Sequence, residues 1–319
     1  MIKIDLDDIK KYEISKLINK FVLDKKVVDE ICKLAEFLEN KECKNTADLL
    51  KTKAVSDLFI LFGRKALNDC TIEFNNAIIA DEKKTGINVK EIKRSIRYGE
   101  KIDKILGFSE FYNSFRSSDE AYEILEIIGA NVCPYCNRQY TFTARKNEVR
   151  TRPQFDHFYP QALYPYLAVS IYNLIPSCAL CNFGKRDSVP ENILYPYEED
   201  FDRKNINFKI DGVVPFILGA ASNINVNLES SSKNKPIIDA YNKEMKISVL
   251  YEGHSKYITD LIIKKYIFND DAINDICSLL PEHCLTPLYV EQFIFGQYEV
   301  TYSMDNPLSK LTRDVLNQL

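Results

Sequence analysis

The sequence predicts a mostly helical α+β protein with a cysteine-based metal site near the middle of the chain. Apolar residues recur at helical spacing through the first 130 residues, and short β-prone runs follow residue 187. Two Cys-x-x-Cys pairs lie between these two regions. The 319 residues are enough for about two domains, and 45% hydrophobic residues suffice for a sizeable core.

Helices are predicted throughout the amino-terminal region, residues 1–130. Ile14, Ile18 and Phe21 recur at the three- and four-residue spacing that places side chains on one helical face. A later helix is expected to begin at Asp119 and to stop at Gly129, since glycine readily adopts the left-handed conformation that closes a helix.

One predicted helix in this region, which begins at Val89, is strongly basic. Its apolar residues Val89, Ile92 and Ile96 lie opposite a positively charged face. Most faces of this kind are simply solvated, and contact with nucleic acid is the alternative. The basic residues of this face are Lys90, Lys93, Arg94, Arg97, Lys101 and Lys104.

Beyond residue 187 the pattern changes. Residues 206–210 and 213–218 are predicted strands separated by an Asp-Gly turn. Helical spacing then returns, and residues 306–319 are predicted to form the last helix. We therefore expect residues 191–319 to form a mixed α/β region, with regulation or docking of a partner as its candidate roles.

The charge is unevenly distributed along the chain. The formal net charge is −4, from 42 Lys and Arg residues against 46 Asp and Glu residues. Residues 133–187 carry seven basic and three acidic side chains, whereas the segments before and after them have net charges of −1 and −7. An acidic total argues against nucleic-acid contact over the whole surface. The positive middle segment suits a phosphate-facing surface, or else a solvated charged hairpin.

No stretch of the chain approaches 18 consecutive apolar residues, the length that predicts a transmembrane helix. At the amino terminus, charged residues interrupt the apolar ones, unlike the apolar core of a secretion signal. We therefore expect a soluble cytoplasmic protein that does not associate with membranes.

Four of the nine cysteines form two closely spaced pairs, Cys133 with Cys136 and Cys178 with Cys181. Four thiolates are a suitable tetrahedral ligand set for structural Zn²⁺, and a chain without an export signal has little use for a disulfide framework. A redox dithiol or plain buried thiols are the alternatives. The remaining cysteines are scattered and are expected to be ordinary thiols: Cys32, Cys43, Cys70, Cys277 and Cys284.

The segment between and around these pairs resembles the HNH nucleases, also called the ββα-metal family. The resemblance depends on Asp156-His157, on Asn173, and on the run Cys-x-x-Cys-Asn182-x-x-Lys185. It covers about 55 residues and implies a central ββα-metal core, stabilised by a four-cysteine zinc site, over residues 131–190. One departure is that Asn182 stands where many members carry a third motif histidine.

The resemblance also implies roles for these residues. His157 would be the general base, a role suited to an imidazole whose usual pKa is about 6.5. Asp156 and Asn182 would hold a catalytic Mg²⁺ or Mn²⁺ ion, and Asn173 would hydrogen-bond the backbone and fix a loop. The expected nucleic-acid contacts are Lys185, Arg138, Arg145 and Lys146.

The leading hypothesis from the sequence is therefore a metal-dependent endonuclease that cuts DNA, with RNA as the less favoured substrate. The chain is similar in layout to nucleases of Septu-type and retron-linked anti-phage systems, which implies an ATPase partner. A zinc-stabilised nucleic-acid-binding module without cleavage remains an alternative, as do a restriction or mobile-element HNH nuclease and a redox-sensing dithiol protein. The oligomeric state is not predicted.

Overall fold

The structure is a computed structural model that describes residues 1–53, 55–146, 149–217, 224–279, 286–296, 299 and 304–319, without the side chains of residues 55, 56 and 216. The described residues are mainly helical, with short antiparallel sheets of two strands each. This confirms the predicted α+β, mostly helical class. Among these residues, no helix has the length and apolar character needed to cross a membrane.

The secondary structure is as follows. The helices are α1 Asp8–Asp24, α2 Val27–Asn40, α3 Lys44–Thr52, α4 Val55–Phe59, α5 Arg64–Thr85, α6 Val89–Tyr98, α7 Phe108–Arg116, α8 Asp119–Ile128, α9 Ala179–Lys185, α10 Val213–Ile217, α11 Lys235–Met245, α12 Ile247–Glu252, α13 Ser255–Ile267, α14 Asp270–Leu279, α15 Pro287–Phe295 and α16 Ser309–Leu316. The strands are β1 Gly99–Glu100, β2 Ile105–Leu106, β3 Ala144–Lys146, β4 Val149–Thr151, β5 Gln154–His157, β6 Leu174–Ser177, β7 Asn207–Asp211 and β8 Asn225–Glu229.

The chain folds into two compact units, each built from segments that are far apart in the sequence. The helical unit contains Ile4–Gly129 and Phe142–Glu191. The terminal unit contains Met1–Lys3, Ala130–Thr141 and Asn192–Leu319.

The core of the helical unit is formed by the apolar faces of its helices. Ile14, Ile18 and Phe21 of α1 are buried, as their spacing predicts, and the ring of Phe21 packs edge-on against Phe115 at 5.3 Å. The predicted helix α8 is capped at its start by the Ser118 side chain and ends at Gly129 in the left-handed conformation. These elements follow directly from local sequence signals.

Helix α6 is the predicted basic helix, and its apolar residues Ile92 and Ile96 are buried. The helix ends at Tyr98 because Gly99 has a φ of 67°, a conformation that other residues adopt only with strain. The prediction that Lys101 and Lys104 continue the helical face was therefore wrong. They lie in the turn that connects β1 to β2.

In the terminal unit, the sheet differs from the sequence prediction. Strand β7 forms where residues 206–210 predict it, but its antiparallel partner is β8. The second predicted strand was wrong: Val213–Ile217 forms the short helix α10 instead, and residue 218 lies outside the described residues. Pro215 explains the difference, since it has no backbone N–H to donate to a strand partner.

The predicted final helix, residues 306–319, is present in shorter form as α16. It packs on β7, where the Asp314 carboxylate accepts a hydrogen bond of 2.8 Å from the Phe208 backbone N–H. Leu311 and Val315 are buried, as the apolar spacing predicts.

Candidate functional site

The first cysteine pair lies in a tight turn of the terminal unit. The Cys133 backbone N–H donates to the Gln139 carbonyl at 2.9 Å, and the Asn137 N–H donates to the Cys133 carbonyl at 2.8 Å. Asn137 adopts a φ of 50°, in the left-handed region that asparagine tolerates better than most residues. The hydroxyl of Tyr251 donates to the Cys136 carbonyl at 2.6 Å. Hydrogen bonds to their backbone groups, one of them from the Tyr251 side chain, therefore fix both cysteines of this pair.

The second pair lies in the helical unit, at the start of α9. Cys178 is the residue before the first helical position, and its carbonyl accepts from the Asn182 N–H at 3.0 Å. Cys181 then follows in the first turn of the helix. The two-residue spacer thus places both thiols at the amino-terminal end of α9.

We call the two pairs together the four-cysteine group: Cys133, Cys136, Cys178 and Cys181. Their Sγ atoms all lie within 4.8 Å of one another, and all four residues are buried. Four sulfurs about 2.3 Å from a tetrahedral Zn²⁺ would be roughly 3.8 Å apart. The donor set and its dimensions therefore fit a zinc ion, as the spacing of the pairs predicts. Within the described residues, this is the only such group of three or more His, Cys, Asp or Glu side chains.

The remaining described cysteines lie outside this group. Cys32 is exposed, Cys43 and Cys70 are buried, and Cys277 is partly buried. Burial raises the pKa of the Cys70 thiol to about 12, which keeps it protonated and unreactive at neutral pH. Cys284 lies outside the described residues.

Strands β5 and β6 and helix α9 follow one another as a ββα arrangement. The two strands pair antiparallel, with Asp156 opposite Ile175 and His157 opposite Leu174. Alternation along β5 sends Asp156 towards α9, where it meets Lys185. His157 points to the other face, where its ring lies 4.6 Å from that of Tyr112 in α7.

His157 is held by the long connection between the two strands. Its Nε2 lies 2.9 Å from the carbonyl oxygen of Ala168. Because a carbonyl can only accept, Nε2 must carry the proton, and Nδ1 then has the available lone pair. Burial lowers the pKa of His157 to about 4, with smaller contributions in the same direction from the charges of Lys185 and Arg97. The imidazole is therefore neutral near pH 7 and able to accept a proton.

Asp156 is buried and ion-paired. The Nζ atom of Lys185 lies 3.2 Å from its Oδ2 and 2.7 Å from the His157 carbonyl oxygen. Asn182, the other predicted ligand of a catalytic metal, donates from its side-chain amide to Gln154 Oε1 at 2.8 Å. Both predicted ligands thus face the same side of β5, and each is engaged with a protein group.

Asn173 is fully buried, and the hydrogen bonds of its side chain are to backbone groups. Its Oδ1 accepts from the Tyr159 N–H at 2.7 Å, and its Nδ2 donates to the carbonyls of Tyr159 and Leu167, both at 3.1 Å. These are the backbone hydrogen bonds expected of this asparagine from the sequence. They fix the connection that carries Ala168.

The predicted nucleic-acid contacts are placed very differently from one another. Lys185 is completely buried, and this position does not support contact with a phosphate at the surface. Arg145 is paired with Glu126 through two hydrogen bonds of 3.0 and 2.8 Å. Arg138 donates from Nε to His254 Nε2 at 2.9 Å. Lys146, in the short strand β3, is exposed.

Several residues at the site carry no motif signal. Tyr112 and Arg97 come from α7 and α6, remote in sequence from β5, and only the packing of these helices brings them near His157. Ala168 acts through its backbone, which no residue type reveals. Gln154 was detectable, because its two-residue spacing from Asp156 places both on one face of a strand.

A segment of the chain is similar to two known proteins. Over 68 residues it is 38% identical to Septu protein PtuB of Bacillus thuringiensis, which covers 21% of this chain and 24% of PtuB. Over 68 residues it is 31% identical to protein ea31 of Escherichia phage lambda, which covers 21% of this chain and 20% of ea31. No family model and no solved structure matches. The chain thus matches about a quarter or less of each relative's length, and the clearest result is partial similarity to a Septu protein.

Proposed function

We propose that this protein is an HNH endonuclease that hydrolyses phosphodiester bonds of DNA, and less readily of RNA, with the help of a divalent metal ion. The observation that carries the proposal is the position of His157 on β5. Its tautomer is set by the Ala168 carbonyl, it stands next to Asp156, and the ββα arrangement continues into the four-cysteine group.

In this proposal His157 is the general base. A neutral imidazole with its Nε2–H held by a carbonyl presents the Nδ1 lone pair to a water molecule and takes its proton as the water attacks phosphorus. Among the described residues, Nδ1 has no hydrogen-bond partner that would compete for this role. Asn173 supports the base indirectly, since it fixes the connection that positions Ala168.

Asp156 and Asn182 would hold the catalytic Mg²⁺ or Mn²⁺. Carboxylate and amide oxygens are the ligands that such hard cations prefer, and both residues face the same side of β5. When bound, the metal supplies positive charge to the scissile phosphate and the leaving oxygen. Since Lys185 already neutralises Asp156, a metal ion would compete with the ammonium group for this carboxylate.

The zinc ion in the four-cysteine group would be structural. A complete set of four thiolates leaves no open coordination position for substrate. Bound by all four thiolates, it would fix Cys178 and Cys181 at the start of α9. Asn182 and Lys185, both on α9, depend on that placement.

The proposal is tested by cleavage of supercoiled plasmid DNA and of a single-stranded RNA by the full-length protein in Mg²⁺ and in Mn²⁺. His157→Ala is expected to lose at least about 100-fold in rate, the usual contribution of a general base. It should retain its zinc and its circular dichroism spectrum. Cys32→Ser is the control, since Cys32 is exposed and outside the four-cysteine group. Undiminished cleavage by His157→Ala would sink the assignment.

One observation favours a second candidate, a zinc-stabilised module that binds nucleic acid without cutting it. The carboxylate of Asp156 is already paired with Lys185, which weakens it as a metal ligand. Tight binding of DNA or RNA without cleavage in any divalent metal would favour this candidate over the nuclease.

We also propose that the protein acts in anti-phage defence together with an ATPase. The partial similarity to a Septu protein supports this setting. The similarity to a phage lambda protein keeps a mobile-element role open. The defence role and the mobile-element role are separated by expressing the chain with and without a neighbouring ATPase gene and then plating phage. Protection that requires both genes is the expected result, and protection by neither would count against a defence role.

A further inference from the structure

Helix α6 and the turn that follows it line an open groove of about 1290 Å³ in the helical unit. We call its basic residues the α6 surface: Lys41, Lys90, Arg94, Lys101 and Lys104. Lys90 and Arg94 are four positions apart and lie on the same exposed side of α6. The α6 surface is thus a cluster of cations from three neighbouring elements of the fold.

The charges of the α6 surface are available for a ligand. Within the described residues, none of its five cations has a carboxylate within 4.0 Å. Some other exposed cations of the unit are neutralised by a carboxylate. Lys20 is paired with Glu120, and Lys33 with Glu30.

The predicted basic hairpin of β3 and β4 shows the same contrast. Arg145 is paired with Glu126, and Arg150 with Asp119 at 2.6 Å. Positive charge that already has a partner adds little to the binding of an anion, because the ion pair must first be broken. The α6 surface is therefore better suited to bind a polyanion than the hairpin is.

Three carboxylates share the groove, and they limit how basic it is. Glu91, Glu100 and Glu110 face five cations. Glu100 is partly used within the protein, because its Oε1 accepts from the backbone N–H groups of Lys101 and Ile102. With five cations and three carboxylates, the net charge of the groove remains positive. Several separate cations favour a ligand with repeated negative charges over a single anion.

Helix α6, which carries two cations of the α6 surface, also packs on elements near His157. Helix α6 packs on the connection between β5 and β6, where Lys93 lies 5.6 Å above the ring of Tyr164. Helix α6, which carries Arg97 in its last turn, also packs on α7, whose Tyr112 ring lies 4.6 Å from the His157 ring. The Nε of Arg97 is buried and has no hydrogen-bond partner among the described residues.

We propose that the α6 surface binds the phosphodiester backbone of a nucleic acid and directs it past Arg97 to His157. A nucleic acid is the partner that fits, since a cluster of cations without carboxylate partners among the described residues can bind several of its phosphates at once. The path to His157 depends on the proposed nuclease function, whereas binding at the α6 surface does not.

The test measures binding of a fluorescent 30-base-pair DNA duplex and of a 30-nucleotide RNA without added divalent metal, in the His157→Ala protein so that no cleavage intervenes. The variant K90Q/R94Q/K101Q removes three charges of the α6 surface. The matched control K20Q/K33Q/K51Q removes three charges that are ion-paired on other helices. Each phosphate contact contributes about 0.9 to the slope of log affinity against log salt concentration for duplex DNA.

K90Q/R94Q/K101Q is expected to bind about 10-fold or more weakly than the parent and to lower the salt slope by about 2 to 3. The control should bind like the parent. If α6 is disturbed by the triple change, K101Q/K104Q alters only the exposed turn and should lower the slope by about 2. Equal binding by parent and all variants, or no binding of either nucleic acid by the parent, would overturn the inference.

The two proposals fail in different ways. Binding that depends on the α6 surface, without cleavage by the wild-type protein, supports the inference and removes the nuclease function. Cleavage that depends on His157 but not on the α6 surface leaves the nuclease function standing and overturns the inference. The comparison of DNA with RNA identifies the preferred nucleic acid.

Discussion

The Nζ atom of Lys185 lies 3.2 Å from one carboxylate oxygen of Asp156 and 3.3 Å from the other, and both side chains are buried. The same ammonium donates to the His157 carbonyl at 2.7 Å. Helix α9 is thus attached to β5 through a charge pair at the two residues that carry the proposed chemistry. The pair neutralises both groups in a buried position, where an isolated charge is costly.

Lys185→Met is expected to destabilise the protein by about 3–5 kcal/mol, because it removes the ammonium group that pairs with the buried Asp156 carboxylate. Replacing both residues, in Asp156→Asn with Lys185→Met, should recover part of this loss, since both buried charges are then removed together. Urea unfolding of the wild type and of the two variants measures both effects. A single variant as stable as the wild type would show that the pair does not form.

Zinc content is expected to be about one ion per chain and to depend on the four-cysteine group. Cys181→Ser should bind zinc far more weakly and melt at a lower temperature, because the metal stabilises only the folded arrangement of its ligands. Cys32→Ser is the matched control and should keep its zinc. Equal zinc in the two variants, measured by plasma mass spectrometry, would contradict the assignment.

Asn173→Ala is expected to cost about 1–3 kcal/mol, because the buried N–H of Tyr159 loses its acceptor. The amide of Tyr159 should then exchange with deuterium much faster. Cleavage should fall as well, since Ala168 would no longer be held at the His157 ring. Normal exchange at Tyr159 in this variant would show that the side chain does not fix the connection.

His254 makes the stability of the terminal unit depend on pH. Burial, and secondarily the Arg138 charge, lowers the pKa of His254 below its usual 6.5. Below pH 6.5 the unfolded chain therefore binds more protons than the folded one, and stability falls as the pH falls. Above pH 6.5, His254 is neutral in both the folded and the unfolded chain, and its contribution to the free energy of unfolding no longer changes with pH. Protonation would also remove the Nε2 lone pair that accepts from Arg138.

The control for this pH dependence is His254→Gln, which keeps an acceptor but does not titrate. The free energy of unfolding of the wild type should fall relative to that of His254→Gln as the pH is lowered from about 6.5. Parallel pH profiles for the two proteins would rule out the proposed role of this histidine.

Two glycines with positive φ allow strain to be separated from steric clash. Gly86 has a φ of 75° with open space around it, whereas Gly99 has a φ of 67° and a Cβ would meet the Ile105 carbonyl oxygen. Gly86→Ala should cost about 1–2 kcal/mol from backbone strain alone. Gly99→Ala should cost more and disturb the β1–β2 turn that carries part of the α6 surface. Equal thermal melting temperatures for Gly86→Ala and Gly99→Ala would contradict the close packing of Gly99 against Ile105.

Much of the fold follows from local sequence signals. The spacing of Ile14, Ile18 and Phe21 and the glycine that ends α8 each determine a helix through short-range geometry. Two predictions failed because a single proline or glycine outweighs the pattern of the residues around it. Pro215 turns an expected strand into α10, and Gly99 ends α6 before Lys101.

What the sequence by itself determined is the set of cysteine pairs and the order of the residues around them, since ligand spacing and residue type are local properties. Only the tertiary structure decided which charges are free. It buries Lys185 against Asp156, pairs Arg145 with Glu126, and leaves the α6 surface without carboxylate partners among the described residues. The physical reason is that charge neutralisation and desolvation depend on neighbours brought together by packing, which a linear pattern does not contain.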